Sequence, residues 1–189
     1  MDGNSQLFHQ LMTPDFQNGY PMSNKQTVDV VDNQQVINLE VIRMVAKVQL
    51  SITNDTDHAI NLKTITLSDV TQNGNQNIKL LPNVDSNNQL QVNLANSAKK
   101  GTITLTAAEN NGITIEARAK QTACFYMNES QVDKGEDGGN RYFILSLTTV
   151  DVATGATSNH RYAMLSWNEI RRNDYLKIPI KLEDYQIRW

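Results

Sequence analysis

A single cysteine, Cys124, stands among 189 residues, so no internal disulfide can hold this chain together and its stability must rest on an apolar core. Set between Ala123 and Phe125, that thiol reads as a small buried hydrophobe rather than a nucleophile. Aromatic residues are scarce at 6%, which leaves few rings to spare for a sugar-stacking platform. Charge is balanced, 17 Lys and Arg against 20 Asp and Glu, for a net −3. With no basic stripe, the chain lacks the electrostatic footprint that nucleic-acid binding requires. No apolar run is long enough to span a bilayer. Met1-Asp2-Gly3-Asn4 opens neither a basic nor an apolar leader, so an exported form would carry its leader outside these residues.

Chemistry-bearing motifs are missing too. His9, His58 and His160 lie far apart without ligand spacing and read as surface or loop residues. There is no Gly-x-Ser-x-Gly elbow, no phosphate-cradling glycine loop and no His-Glu-x-x-His. Asp133-Lys134-Gly135-Glu136-Asp137-Gly138 lacks the alternating ligands and terminal Glu of a calcium loop, and reads as a solvated turn. The expectation is a protein without catalytic residues, cofactor or metal.

What the chain has is period-two patterning. In Ile37–Ile52 the apolar residues begin at odd positions (Ile37, Leu39, Val41) and then move to even ones (Ile42, Met44, Ala46, Val48, Leu50, Ile52). Alternation marks a strand with one buried face, and a phase slip demands a bulge or a corner. This predicts a long strand bent near Val41; an amphipathic helix fits the spacing less well.

Further strands are expected at Thr27–Val31, Ile60–Val70, Ile78–Leu81, Leu90–Leu94, Thr102–Thr106, Ile113–Ala119, Thr122–Met127, Arg141–Val150, Arg161–Trp167, Tyr175–Leu182 and Tyr185–Trp189. Asn111-Gly112 suggests that the Thr102 and Ile113 segments form a hairpin. Arg141–Val150, the most continuous apolar run, is expected at the centre of a sheet. The Asn- and Gln-rich tracts Thr71–Asn77 and Asp85–Gln89 suit surface loops. Residues 1–25 read as an irregular arm, with Leu7, Phe8, Leu11 and Met12 as a small apolar patch, and residues 26–189 as one domain. About ten short strands without a convincing helix predict an all-β, antiparallel Greek-key β-sandwich, with a closed barrel as the weaker alternative.

An uncovered sheet edge can accept a strand from another molecule. Pro179 within Leu176–Leu182 places that segment at an edge, because proline cannot donate to a ladder. Together with the short Thr27–Val31 segment, it nominates Val28, Val30, Ile178, Pro179, Ile180 and Leu182 as candidate strand-exchange residues. Each segment alternatively closes the domain's own sheets. Tyr185–Trp189 is a candidate C-terminal donor.

Four separated segments together carry a resemblance. They are Tyr20-Pro21-Met22-Ser23, Glu40-Val41-Ile42-Arg43-Met44-Val45-Ala46-Lys47-Val48, Phe125-Tyr126-Met127-Asn128-Glu129-Ser130 and Arg172-Asn173-Asp174-Tyr175-Leu176-Lys177-Ile178. In this order they resemble the Bacteroidales fimbrillins, the type V pilus subunits and their fimbrillin-like lipoprotein relatives. The resemblance covers residues 20–180 and includes no catalytic motif. It implies a transthyretin-like sandwich, the second of two such domains, with residues 1–25 as the connector. It further implies export, and display at the outer membrane through a lipid anchor borne by a leader beyond this sequence.

The expected function is therefore that of a non-enzymatic fimbrial subunit, in shaft, tip or anchor position. Its expected partners are other pilin-like subunits or surface receptors. The alternative is a carbohydrate-binding module of a surface glycan-utilisation system, for which Trp167, Trp189, Tyr142 and Tyr162 are the available platforms, all in or beside apolar strands.

Overall fold

A computed structural model describes residues 20–31, 34–72, 79–94, 98–106, 112–133 and 141–183. In chain order the strands are β1 (Met22–Ser23), β2 (Ile42–Arg43), β3 (Ala46–Asn54), β4 (Ile60–Thr71), β5 (Asn83–Val84), β6 (Leu90–Gln91) and β7 (Lys100–Thr106). There follow β8 (Ile113–Ile115), β9 (Lys120–Met127), β10 (Ser130–Gln131), β11 (Ile144–Asp151), β12 (Thr157–Ala163), β13 (Glu169–Ile170) and β14 (Tyr175–Leu182). One sheet has the order β12-β11-β4-β7, with β8 also paired to β4, and the facing sheet has the order β14-β3-β9. The fold is the all-β sandwich expected from the alternation, and no helix is present among the described residues.

The core lies between the two sheets. Val48, Leu50 and Ile52 of β3, Phe125 and Met127 of β9, and Leu176, Ile180 and Leu182 of β14 pack toward Ile60, Leu62, Ile65 and Leu67 of β4 and Leu145 and Leu147 of β11. The regular alternation of β3, buried at every even residue from Ala46 to Asn54, follows from pleating in a sheet with one covered face. In β4 the buried phase moves from Ile60 and Leu62 to Ile65 and Leu67. The cause is a bulge: Thr148 pairs with Thr64 and Thr149 with Leu62, which leaves Lys63 as the extra residue.

Several expectations need correction. The corner predicted near Val41 sits instead at Met44-Val45, between β2 and β3, and Ile37–Val41 is exposed and outside any strand. Thr27–Val31 is likewise not a strand, and residues 79–81, the described part of the segment expected at Ile78–Leu81, form none. Residues 184–189, with the proposed C-terminal donor, lie outside the described residues.

The Thr102 and Ile113 segments do not pair with each other. β7 runs antiparallel to Thr64–Thr71 and β8 to Ile60–Leu62, so the two follow one another along a single edge of β4. The hairpin signal at Asn111-Gly112 marks re-entry after an insertion, with Gly112 at a φ of 76°.

Nor is the sandwich wholly antiparallel. β14 runs parallel to β3, Tyr175 beside Lys47 through Leu182 beside Asn54. The Asp174 carbonyl accepts the Lys47 N–H at 2.8 Å, so the turn before β14 docks at the start of β3 and both strands leave in the same direction. β14 is an edge strand, as Pro179 required.

Gly112 has no room for a side chain: a Cβ would stand 2.6 Å from the Leu62 carbonyl oxygen, on a backbone that L-residues disfavour. Gly112→Ala is expected to lower the unfolding free energy in urea by at least about 1–2 kcal/mol. An unchanged midpoint would refute the tight re-entry of β8 onto β4.

Candidate functional site

The short pairing of β10 with β13, Ser130 opposite Ile170, brings the ends of two distant segments together. Glu129 precedes β10 and Arg172 follows β13, and their side chains meet at 2.7 Å, Arg172 Nε to Glu129 Oε1. Arg172 is 0% and Glu129 5% exposed, so both charges have left water. Such a pair is tolerated only when the remaining donors and acceptors are satisfied.

Here they are. Arg172 Nη2 donates to Glu129 Oε2 at 3.2 Å and to the Lys79 carbonyl at 2.8 Å, and Nη1 donates to the Leu80 carbonyl at 2.9 Å. The Arg172 backbone N–H donates to Glu129 Oε1 at 3.2 Å, and the Asn93 N–H to Oε2 at 3.3 Å. Ser23 Oγ lies 3.4 Å from Arg172 Nη1 and donates to the Leu80 carbonyl at 2.5 Å.

The turn after Arg172 continues the junction. Arg43 Nε donates to Asn173 Oδ1 at 3.0 Å, and the Asn173 N–H to the Val45 carbonyl at 3.1 Å. The Met44 N–H donates to the Pro21 carbonyl at 2.9 Å, while β1 pairs with β2. Tyr20 lies against Tyr126 with ring centroids 4.5 Å apart and hydroxyls 2.5 Å apart. The hydrogen bond with Tyr20, aided by burial, pushes the Tyr126 phenol up to about 12. The four segments that carried the sequence resemblance thus meet at one junction. Residues 20–23, placed in the arm by sequence, are docked on the domain, with Ser23 buried.

Between β1 and β2 the chain leaves the sandwich and returns. Val28, Val30, Val31, Val36, Ile37, Leu39 and Val41 are exposed along this excursion, Val30 at 79% and Val36 at 89%. Its two limbs are bridged by side chains rather than by a strand ladder. Asn24 Nδ2 donates to the Glu40 carbonyl at 2.8 Å, the Glu40 N–H to Gln26 Oε1 at 3.1 Å, and Gln35 Nε2 to the Asp29 carbonyl at 3.0 Å.

Of the nominated strand-exchange residues, Val28 and Val30 lie on this excursion, and Ile178, Pro179, Ile180 and Leu182 lie on β14. Ile180 and Leu182 are buried in the core, so β14 closes the domain's own sheet. Lys177 and Lys181 face outward on it, with Pro179 between them. Cys124, expected inside, is exposed: Phe125 and Met127 set the inward phase of β9, and Cys124 falls on the other face.

Among the aromatics, Tyr162 and Trp167 are half-buried against the core, and Trp189 lies outside the described residues, as does His9. His58 is exposed, while His160 on β12 lies 3.0 Å from Thr149 Oγ1 with its imidazolium disfavoured by burial. Of the calcium-loop-like segment only Asp133 is described, and it pairs with Lys100. No group of three or more His, Cys, Asp or Glu is placed to hold a metal among the described residues. Ser166, Trp167, Glu169, Arg171, Asp174 and Tyr175 line an open groove of about 340 Å³.

No protein-family model matches the sequence, and no curated protein matches it significantly.

The sequence signal for the junction was the set of four motifs; what it did not contain was their convergence on the Arg172–Glu129 pair and the turn that follows it. Arg172→Met, which strands a buried carboxylate, is expected to cost about 3–5 kcal/mol in urea unfolding. Adding Glu129→Leu removes the stranded charge and is expected to recover part of that loss. A double variant less stable than the single one would contradict this reading of the pair.

Proposed function

We propose that this chain is a non-enzymatic structural and adhesive subunit of a surface fimbria, which joins other copies or related subunits by β-strand pairing. The observation that carries this reading is the excursion between Ser23 and Ile42: rich in exposed valine and without a ladder partner among the described residues. An apolar, strand-compatible segment left in water is a template for another chain, and proteins that do not use such a segment cover or charge it. The junction below supports the same reading, since it holds the excursion at both ends by β1 and β2. The convergence of the four fimbrillin-like segments supports membership of that family, with a transthyretin-like fold and outer-surface display.

The test is electron microscopy of cells that express the full precursor, with and without Val30→Asp and Val36→Asp together. Surface fibres are expected for the unchanged protein and their loss for the variant, while its circular dichroism and melting temperature stay the same. Fibres that persist with the variant would remove the excursion from assembly.

A second reading, a carbohydrate-binding module, draws on the groove beside Trp167, where Glu169, Arg171, Asp174 and Tyr175 combine a ring with polar groups. Many of those polar groups already bind one another: Glu169 pairs with Arg171, and Asp174 Oδ2 accepts the Arg171 N–H at 2.7 Å. On this reading the folded protein binds glycans on an array, and Trp167→Ala abolishes the signal. An array without binding would dismiss it.

A further inference from the structure

Resting on the assembly reading above, we infer that the limb Lys25–Val31 of one copy pairs antiparallel with the free edge of β9 in a second copy. Among the described residues the two main sheets offer four edges, and they differ in how they treat an incoming chain. β14 has Pro179 at its middle and outward Lys177 and Lys181, the devices by which proteins close an edge. The β7–β8 edge is divided between two strands, β7 along Thr64–Thr71 and β8 along Ile60–Leu62. β12 places Thr157, Asn159 and Arg161 on its outward face and has no apolar residue before His160 to meet a valine-rich strand. β9 is eight residues long, continuous and free of proline and glycine, and along Lys120–Cys124 its ladder is to β3 alone among the described residues.

The faces of β9 and the limb match in period. Phe125 and Met127 are buried, so Ala123 and Gln121 share their inward face, and Lys120, Thr122 and Cys124 point outward. On the limb, Gln26, Val28 and Val30 alternate with Lys25, Thr27 and Asp29. The Asp29 carboxylate and the Lys120 ammonium are both exposed and make no ion pair among the described residues.

Placing Asp29 opposite Lys120 in an antiparallel register puts Thr27 opposite Thr122 and Lys25 opposite Cys124. Opposite charges and paired threonines on one face are favourable cross-strand neighbours. On the other face, Val28 comes opposite Gln121 and Val30 opposite Ala119, which is half-buried at the margin of the core. A parallel register with the same ion pair would leave Lys25–Gln26 unused and need residues beyond Val31 to face Ala123 and Cys124, so the antiparallel one is the register that uses the limb. The contact is head-to-tail, donor limb to acceptor edge, and leaves each copy with one surface of each kind. Such a contact propagates into a chain of subunits unless it closes into a ring.

Because Cys124 is the only thiol, the register can be read chemically. Lys25→Cys and Gln26→Cys, each in a Cys124→Ser background, are mixed with the unaltered protein and oxidised by glutathione disulfide. The expected result is a disulfide-linked heterodimer from Lys25→Cys that grows with concentration, and only the background of random encounter from Gln26→Cys, which faces the other way. In sedimentation, Asp29→Lys or Lys120→Glu alone is expected to weaken self-association by up to about fivefold, the worth of one exposed ion pair, and the double reversal to restore it.

Equal trapping at both positions, or none, overturns the inference. So does hydrogen-exchange protection of the Lys120, Thr122 and Cys124 amides, which point away from β3, at concentrations where the chain is monomeric, since that edge would then be covered from within. Self-association or surface fibres that persist without trapping would overturn this acceptor edge and leave the fimbrial reading standing. Loss of both would remove the two together.

Discussion

One guanidinium group organises the junction where the ends of several distant segments of this chain meet. Burying Arg172 and Glu129 removes two charges from water at a cost that their mutual attraction does not reliably repay. The structure meets that cost by surrounding the pair with backbone groups that need partners: the carbonyls of Lys79 and Leu80 and the N–H of Asn93. All three lie in the segment 79–94, which also holds the β5–β6 pair. A buried pair therefore works here as an organiser of chain segments, and its directional hydrogen bonds set which strands lie where.

The direction of β14 follows from this. Arg172 fixes the turn that precedes the strand, and Asp174 then meets Lys47 at the start of β3. A strand that begins beside the start of its neighbour must run parallel to it. The C-terminal strand thereby becomes an edge, and Pro179 with its flanking lysines suits that exposed position. The same junction holds β1 against β2, so the excursion between them springs from a rigid base. Its limbs are bridged by side-chain hydrogen bonds from Asn24, Gln26 and Gln35.

The sandwich is also asymmetric in how it presents itself to other molecules. Among the described residues, one edge of the smaller sheet carries Pro179 between two lysines, the other is a continuous strand without proline or glycine, and an exposed apolar segment lies elsewhere on the same chain. Self-complementary edges tend to give closed dimers or unregulated aggregates, whereas a donor and an acceptor of different chemistry give polarity. On the proposed assembly, that polarity rests on a few residues: Pro179 on one edge, Asp29 on the limb and Lys120 on the other edge.

Alternation along the chain determined most of the strands of the sandwich, and it did so for a physical reason: a strand with one covered face must repeat every two residues. That is why Ala46–Ile52, Ile144–Val150 and Tyr175–Leu182 were legible, and why Pro179 could place its strand at an edge. The four motif segments were legible as well, as a resemblance. Local pattern contains no information about partners, however, so the parallel pairing of β14, the end-to-end placement of β7 and β8, and the buried Arg172–Glu129 contact were decided by tertiary structure alone. Val28–Val41 shows the other limit. Its valines and leucine read as strand because they suit one, yet nothing in the domain pairs with them among the described residues, and Cys124 is exposed because its neighbours claimed the inward face of β9. Residue chemistry says what a segment can pair with; which face and which neighbour it receives depends on the whole fold.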